Sequence, residues 1–141
     1  MAKQRRVLIP IDGSNNSLRA LVHVIRSARP THRVKIHLLN VQSPLPPSLF
    51  VTRAMISEYQ RKQSQAVFSR AHKILSKHNV QVEEAMRVGD PATTIVNFAK
   101  SIRCNELVMG TRGLGRLEGL VLGSVTTKVI HLARMPITIV P

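Results

Sequence analysis

The sequence is poor in cysteine and has no long apolar run, and both features limit where the protein can work. Its one cysteine, Cys104, excludes an intrachain disulfide and fits a reducing compartment. No segment approaches the roughly 18 apolar residues of a membrane-spanning helix. The N-terminus also lacks the apolar core of a signal peptide. We therefore expect a cytoplasmic protein without a membrane span.

Aromatic and acidic residues are also scarce. Aromatics make up 3% of the chain, which leaves few rings on which unpaired bases could stack. Seven acidic residues stand against 21 lysines and arginines, giving a net charge of +14. Such a surface attracts polyanions, yet the basic residues are spread along the chain. We therefore expect a solvated basic surface, with a functional polyanion site as the alternative. Nucleic-acid binding through this surface is thus a rival function, although nucleic acid is not the expected partner.

Short apolar segments alternate with amphipathic ones, and no linker or internal repeat divides residues 1–141, which we expect to form a single domain. Strands are predicted over 7–11, 34–41, 80–88, 107–109 and 137–140. Helices are predicted over 17–28, 48–78, 91–102 and 124–133, with a break near Arg53 left open. The alternation predicts an α/β fold, Rossmann-like, with a five-stranded parallel sheet in the order 3-2-1-4-5 and helices on both faces.

Local signals refine three of these helices. Asp90 followed by Pro91 is typical of a helix start, with Asp90 as the N-cap. The long helix is predicted to turn five residues inwards: Tyr59, Val67, Ala71, Ile74 and Leu75. The last helix is expected to be apolar through Val125, Val129, Ile130, Leu132 and Ala133.

The most informative feature is a glycine pattern between the fourth strand and the last helix. Gly110 and Gly113 are followed, after nine residues, by Gly123 and Ser124. Glycine lets backbone N–H groups turn towards a ligand, and a helix beginning near Ser124 adds unpaired N–H groups and a positive dipole end. An anion such as phosphate would fit there. A surface loop that ends in an N-cap serine is the alternative.

The predicted topology puts this pattern beside a second conspicuous residue. In the order 3-2-1-4-5 the strand order reverses between strands 1 and 4, where open α/β sheets bind ligands at the carboxyl ends of the strands. Strand 1 leads into Asp12, and strand 4 leads into Gly110. The alternative for Asp12 is a turn-former ahead of Gly13 or a cap for the first helix. Both arguments therefore converge on one crevice.

The glycine pattern is neither a P-loop nor a dinucleotide-binding fingerprint. The spacing G-x2-G-x9-G-[ST] instead resembles the ATP-binding type of the universal stress protein family. The resemblance extends over essentially the whole chain, through 9–14 (IPIDGS), 39–41 (LNV), 89–91 (GDP) and 135–140 (MPITIV).

This resemblance implies a nucleotide site at defined positions. Adenine would lie beside Val41 and against Pro10 and Ile11, with Asp12 accepting a hydrogen bond at the adenosine end. Met109 and Gly110 would line the ribose. The phosphates would be held by backbone N–H groups and a hydroxyl of the residues Gly113, Gly123, Ser124 and Val125. Arg112 and Arg116 could pair with terminal phosphates, although arginines in such loops often only face solvent.

The implied function is a stress-response, regulatory binding module that holds ATP or AMP, with Mg²⁺ as an optional companion of the ATP. No catalytic residue is assigned. The rival from another class is a slow ATP hydrolase or phosphotransferase, which needs a base and a metal clamp that the sequence does not suggest. The histidines at 23, 32, 37, 72, 78 and 131 have no metal-ligand spacing, so no protein metal site is expected.

The last predicted strand lies at an edge of the sheet and carries no charge over residues 136–141. An exposed apolar edge needs a partner or a cover. The resemblance also implies a dimer through this strand, so we expect a homodimer. Internal cover by the N-terminal arm is the alternative.

Overall fold

The computed structural model describes residues 4–28, 33–111 and 122–141. Five strands alternate with four helices in these residues. The strands are β1 (Arg5–Pro10), β2 (Val34–Gln42), β3 (Gln81–Val88), β4 (Glu106–Gly110) and β5 (Ile137–Val140). The helices are α1 (Asn15–Ser27), α2 (Arg53–Leu75), α3 (Pro91–Ser101) and α4 (Ser124–Leu132).

The strands form one sheet in the order β3-β2-β1-β4-β5, and every pairing is parallel. β1 lies in the middle, with Arg5 opposite Val34 of β2 and Val7 opposite Glu106 of β4. The predicted fold class and strand order are therefore confirmed. The reversal of strand order falls between β1 and β4, as expected.

Alternation along β1 builds one apolar cluster on each face of the sheet. Val7 and Ile9 belong to the cluster that α1 and α2 cover, and Leu8 belongs to the cluster that α3 and α4 cover. All three residues are fully buried. A central parallel strand must be apolar on both sides, which explains its continuous apolar sequence.

Side-chain caps set the first residues of three helices. Ser14 Oγ accepts from Ser17 N at 3.2 Å, Thr52 Oγ1 accepts from Met55 N at 3.1 Å, and Asp90 Oδ2 accepts from Thr93 N at 3.1 Å. The Asp90 cap and Pro91 start are confirmed. The prediction of helix from residue 48 is wrong, because Thr52 caps a helix that begins at Arg53.

One predicted core position is also wrong, because Tyr59 is 54% exposed. Ile130 and Leu132 make α4 apolar as expected, but they lie on its exposed side. The buried side of α2 instead includes Gln60 and Ser64. The other four predicted positions lie in or against the apolar cluster, as expected. Apolar periodicity missed Gln60 and Ser64 because both residues are polar.

No helix in the described ranges is long and apolar enough to cross a membrane. Cys104 is half-buried, and its burial raises the pKa of the thiol to about 11. The thiol is therefore protonated at neutral pH, which makes it a poor nucleophile.

His37 is a buried polar residue in the middle of β2. Its Nε2 has no hydrogen-bond partner among the described residues, and its Nδ1 lies 3.7 Å from Glu83 Oε2. Burial lowers the pKa of His37 below 6.5; Glu83 opposes this effect, while Lys35 and Arg6 add to it. Below pH 6.5 His37 is protonated in the unfolded chain, whereas burial opposes its protonation in the folded chain. The contribution of neutral His37 to the unfolding free energy is therefore fully present above pH 6.5. It is lost as the pH drops through the folded-state pKa of His37.

We predict that His37→Asn reduces the loss of unfolding free energy between about pH 7.5 and about pH 5.5. Urea denaturation at both pH values measures this loss. His131→Asn, which removes an exposed histidine of α4, is the matched control. The pKa of Glu83 is also lowered, chiefly by its hydrogen bond with Lys35. This shift affects stability only below pH 4.5, outside the pH range of the two denaturation measurements. An unchanged pH dependence in His37→Asn would show that this histidine is not responsible.

Candidate functional site

The carboxyl end of β1 is fixed by hydrogen bonds to β2. Ile11 N donates to Leu39 O at 2.8 Å, and the buried Asn40 side chain donates from Nδ2 to Ile11 O at 2.8 Å. Asn40 Oδ1 in turn accepts from Gln42 Nε2 at 2.7 Å. These bonds hold the exits of β1 and β2 together, although the sequence analysis assigned no role to Asn40.

The chain then turns sharply from β1 into α1. Asp12 Oδ1 accepts from Ser14 N at 2.9 Å, which is an Asx turn. Gly13 has a φ of +87°, a conformation that favours glycine over residues with a Cβ. Asp12 is exposed, and its Oδ2 accepts no hydrogen bond from the residues that the structure describes. Asp12 thus forms the turn with Oδ1, and the residues that the structure describes leave its Oδ2 available.

β4 ends directly against the first turn of α1. A Cβ at Gly110 would lie 2.8 Å from the backbone C and O atoms of Asn16, so only glycine permits this approach. The Gly110 carbonyl accepts from the buried Thr126 Oγ1 of α4 at 3.1 Å. Gly110 therefore joins α1, β4 and α4 at one point. Its structural role rests on Asn16 and Thr126, to which the sequence analysis gave no part.

α4 begins beside the exit of β4. Gly123 N donates to Thr111 O at 2.7 Å, and the first helical bond runs from Thr127 N to Gly123 O at 3.0 Å. Gly123 is the N-cap, and the exposed Ser124 is the first helical residue. Because the Gly123 N–H is engaged, the N–H groups of Ser124, Val125 and Thr126 are the candidates for an external acceptor at this end.

The electrostatics of this edge favour an anion. α1 and α4 both begin here, and neither has an acidic residue in its first turn. The positive ends of both helix dipoles are therefore not offset by acidic side chains of their own first turns. Asp12 is the one carboxylate at the ends of β1 and β4 within the described ranges.

The remaining predicted site residues fall into three groups. Ile11 and Met109 are buried with their side chains in the two apolar clusters, so a ligand could reach only their backbone. Pro10 and Val41 are half-buried near the ends of β1 and β2. Arg112 and Gly113, like Arg116, lie outside the described residues.

An arginine of α2 also reaches this edge, and the sequence analysis did not assign it. Arg70 donates to the Gly13 carbonyl and, from Nη2, to Asn15 Oδ1 at 2.8 Å. Its position on a long helix far along the chain gives no local signal of this contact. Within the described ranges no cluster of three or more His, Cys, Asp or Glu residues could hold a metal ion.

Comparison with known sequences identifies relatives along the whole chain. Residues 3–141 match the model of the universal stress protein family. The universal stress protein MJ0531 of Methanocaldococcus jannaschii is 31% identical over 138 residues, covering 96% of this chain and 81% of that protein. The universal stress protein YxiE of Bacillus subtilis is 30% identical over 145 residues, covering 96% of this chain and 97% of that protein.

Solved structures share the fold. A universal stress protein in complex with cAMP has a TM-score of 0.61 at 25% identity, covering 96% of this chain and 95% of that one. An Arabidopsis thaliana family member with AMP bound has a TM-score of 0.70 at 22% identity, covering 96% and 90%. The universal stress protein from Archaeoglobus fulgidus in complex with dAMP has a TM-score of 0.65 at 24% identity, covering 100% of both chains.

The close contact at Gly110 generates a prediction about stability. Gly110→Ala should lower the unfolding free energy by about 1–3 kcal/mol, because the added Cβ meets backbone atoms that cannot move freely. Gly123→Ala is the matched control, since the φ of −66° at Gly123 suits any residue and the expected loss is below about 1 kcal/mol. Urea denaturation measures both variants. Equal losses would contradict a special packing role for Gly110.

Proposed function

The chain belongs to the universal stress protein family, and on this premise we propose that it binds an adenine nucleotide in the crevice between the ends of β1 and β4. The observation that carries the proposal is the 2.7 Å bond from Gly123 N to Thr111 O. It holds the N-terminus of α4 at the exit of β4, where α1 also begins. Two helix N-termini beside a switch point form a suitable receptor for a phosphate group.

The proposed pose follows the strand ends. Adenine lies beside Val41 and the backbone of Pro10 and Ile11, and the ribose lies along Met109 and Gly110. The free oxygen of Asp12 accepts from a ribose hydroxyl. The phosphates extend to the start of α4, where the N–H groups of Ser124 and Val125 and the Ser124 hydroxyl donate to them.

Gly113, Gly123 and Arg112 complete the proposed site. Gly123 acts there through its small size, because its N–H is donated to Thr111 O. Gly113 is assigned by the family spacing, and its backbone would donate to the phosphates. Arg112 is assigned because it lies between Gly110 and Gly113, and its guanidinium would donate to them. The AMP, dAMP and cAMP complexes of proteins with this fold support an adenine nucleotide as the ligand class.

We propose ATP or AMP as the resident nucleotide, and the site does not require a protein-held metal. Any Mg²⁺ would arrive on the phosphates of ATP, because Asp12 is the one described carboxylate in the crevice and Mg²⁺ commonly combines few carboxylates with phosphate oxygens. Asp12 lies at the proposed adenosine end, so no described carboxylate is placed to activate water at the terminal phosphate. A regulatory binding module therefore fits better than a hydrolase.

We also propose a homodimer through β5. This strand is a sheet edge, and its four residues Ile137–Val140 carry no charge and are only half-buried in one chain. Pairing with a second β5 across a two-fold axis would satisfy both edges at once.

Titration with ATP and adenosine tests the nucleotide site. Gly123→Val should abolish ATP binding while the protein stays folded, because a branched side chain occupies the space of the phosphates. Asp12→Asn keeps the acceptor for Ser14 N and should weaken ATP and adenosine alike, by about one to two decades. Calorimetry measures the affinities, and circular dichroism checks the fold.

Thr127→Val is the matched control in the first turn of α4, because its side chain bonds only the Gly123 carbonyl within the described part of the chain. It should retain ATP binding. Undiminished ATP affinity in folded Gly123→Val would sink the proposed phosphate position. A loss confined to ATP in Asp12→Asn would place this residue near the phosphates instead.

Sedimentation equilibrium tests the dimer. The wild-type chain should sediment as a dimer at micromolar concentration, and Ile139→Lys should shift it towards monomer because a charge would be buried at the paired edge. Thr127→Lys adds the same charge on an exposed position and should leave the dimer intact. A wild-type monomer, or an Ile139→Lys dimer, would refute the β5 interface.

A further inference from the structure

An apolar patch projects from the loop after β2 and from the start of α2. Six of the ten large apolar or aromatic side chains exposed in the described ranges come from this stretch. We call Leu45, Leu49, Phe50, Val51, Met55 and Tyr59 the apolar patch. Leu49 is 97% exposed and Phe50 is 88% exposed. Exposed apolar surface that is concentrated in one place marks an interaction site more often than scattered residues do.

Hydrogen bonds hold the tip of the patch in an ordered shape. Ser48 N donates to Val51 O at 2.9 Å, and Phe50 N donates to Ser48 Oγ at 3.3 Å. Thr52 then caps α2. The three prolines of 44–47 also restrict the loop. Leu49 and Phe50 are thus presented at the tip of a hydrogen-bonded turn.

The apolar patch continues into a basic surface on α2. Residues 43–78 contain six lysines and arginines and one acid, Glu58, which Arg61 binds with two hydrogen bonds of 2.9 and 2.6 Å. Spacings of three and four place exposed residues along one side of α2: Met55, Tyr59, Lys62, Ala66, Arg70 and Lys73. This side changes from apolar at its N-terminal end to basic at its C-terminal end.

We propose that the apolar patch and the basic side of α2 dock together on an anionic lipid bilayer. Leu49 and Phe50 would enter the acyl boundary, Tyr59 would lie at the headgroups, and Lys62 and Lys73 would attract anionic headgroups. The occupant is argued from charge: the segment 43–78 has a formal charge of +5, from six basic residues and one acid. A second copy of the same face would bring like charges together across a two-fold axis, which disfavours self-association there.

Vesicle binding tests the proposal directly. The full chain should bind vesicles of equal parts phosphatidylcholine and phosphatidylserine, should bind phosphatidylcholine vesicles weakly, and should lose affinity as salt rises. Leu49→Ser with Phe50→Ser should weaken binding at least about tenfold, because two large apolar side chains no longer enter the bilayer. Lys62→Gln with Lys73→Gln should weaken it about tenfold as well.

Matched controls separate docking from folding and from general stickiness. Ile130→Ser with Leu132→Ser removes two exposed apolar residues of α4 and should leave vesicle binding unchanged. The chain has no tryptophan, so Phe50→Trp introduces a single reporter at the tip. Its emission should shift to the blue with phosphatidylserine vesicles and should be quenched by brominated acyl chains.

Four results would overturn the proposal. These are no binding to the mixed vesicles at low salt, equal binding to both kinds of vesicle, full binding by the Leu49→Ser, Phe50→Ser variant, and unshifted Phe50→Trp emission. A different result would identify a second copy of the chain as the occupant. The wild type would self-associate without binding vesicles, and the Leu49→Ser, Phe50→Ser variant would not self-associate. Failure of nucleotide binding would leave the vesicle results unaffected, because the patch contains none of the proposed nucleotide contacts.

Discussion

The burial of β1 between β2 and β4 is the constraint on which the rest of this structure depends. Val7, Leu8 and Ile9 are inaccessible to solvent, and they pack alternately against the two apolar clusters. Because β1 pairs along both of its edges, the chain must pass from β3 to the far side of β1 to form β4. Because of this reversal, the carboxyl ends of β1 and β4 are neighbours, but the segments that follow them lead to opposite faces of the sheet. The gap between these segments is the crevice.

Buried polar groups give that crevice a fixed shape. Asn40 satisfies the carbonyl of Ile11, and Thr126 satisfies the carbonyl of Gly110. Each bond removes the cost of an unpaired carbonyl at a strand end, where the sheet ladder no longer supplies a donor. The absence of a Cβ at Gly110 then lets α1 approach β4. These contacts position the starts of α1 and α4 beside the exit of β4.

α2 connects the crevice to the apolar patch. Its Gln60 donates from Nε2 to Ser43 O at 2.9 Å, where the loop carrying the patch begins, and its Arg70 donates to the Gly13 carbonyl in the turn after β1. One helix therefore supports both surfaces. The positive charge of the two surfaces also differs in origin, because it comes from backbone dipoles at the crevice and from basic side chains along α2.

The sequence by itself determined the fold class and the Asp90 cap, because apolar period and capping chemistry are local. It also predicted the strand order, because alternating strands and helices with right-handed crossovers admit few topologies. It also identified Asp12, Gly110 and Gly123 as residues at neighbouring strand and helix ends. The exposure of Tyr59, the burial of Gln60 and the contacts of Asn40 and Arg70 were decided only by the tertiary structure. A helical period predicts that one side of a helix is buried. Packing against residues distant in sequence decides which residues form that side and which polar groups find partners there.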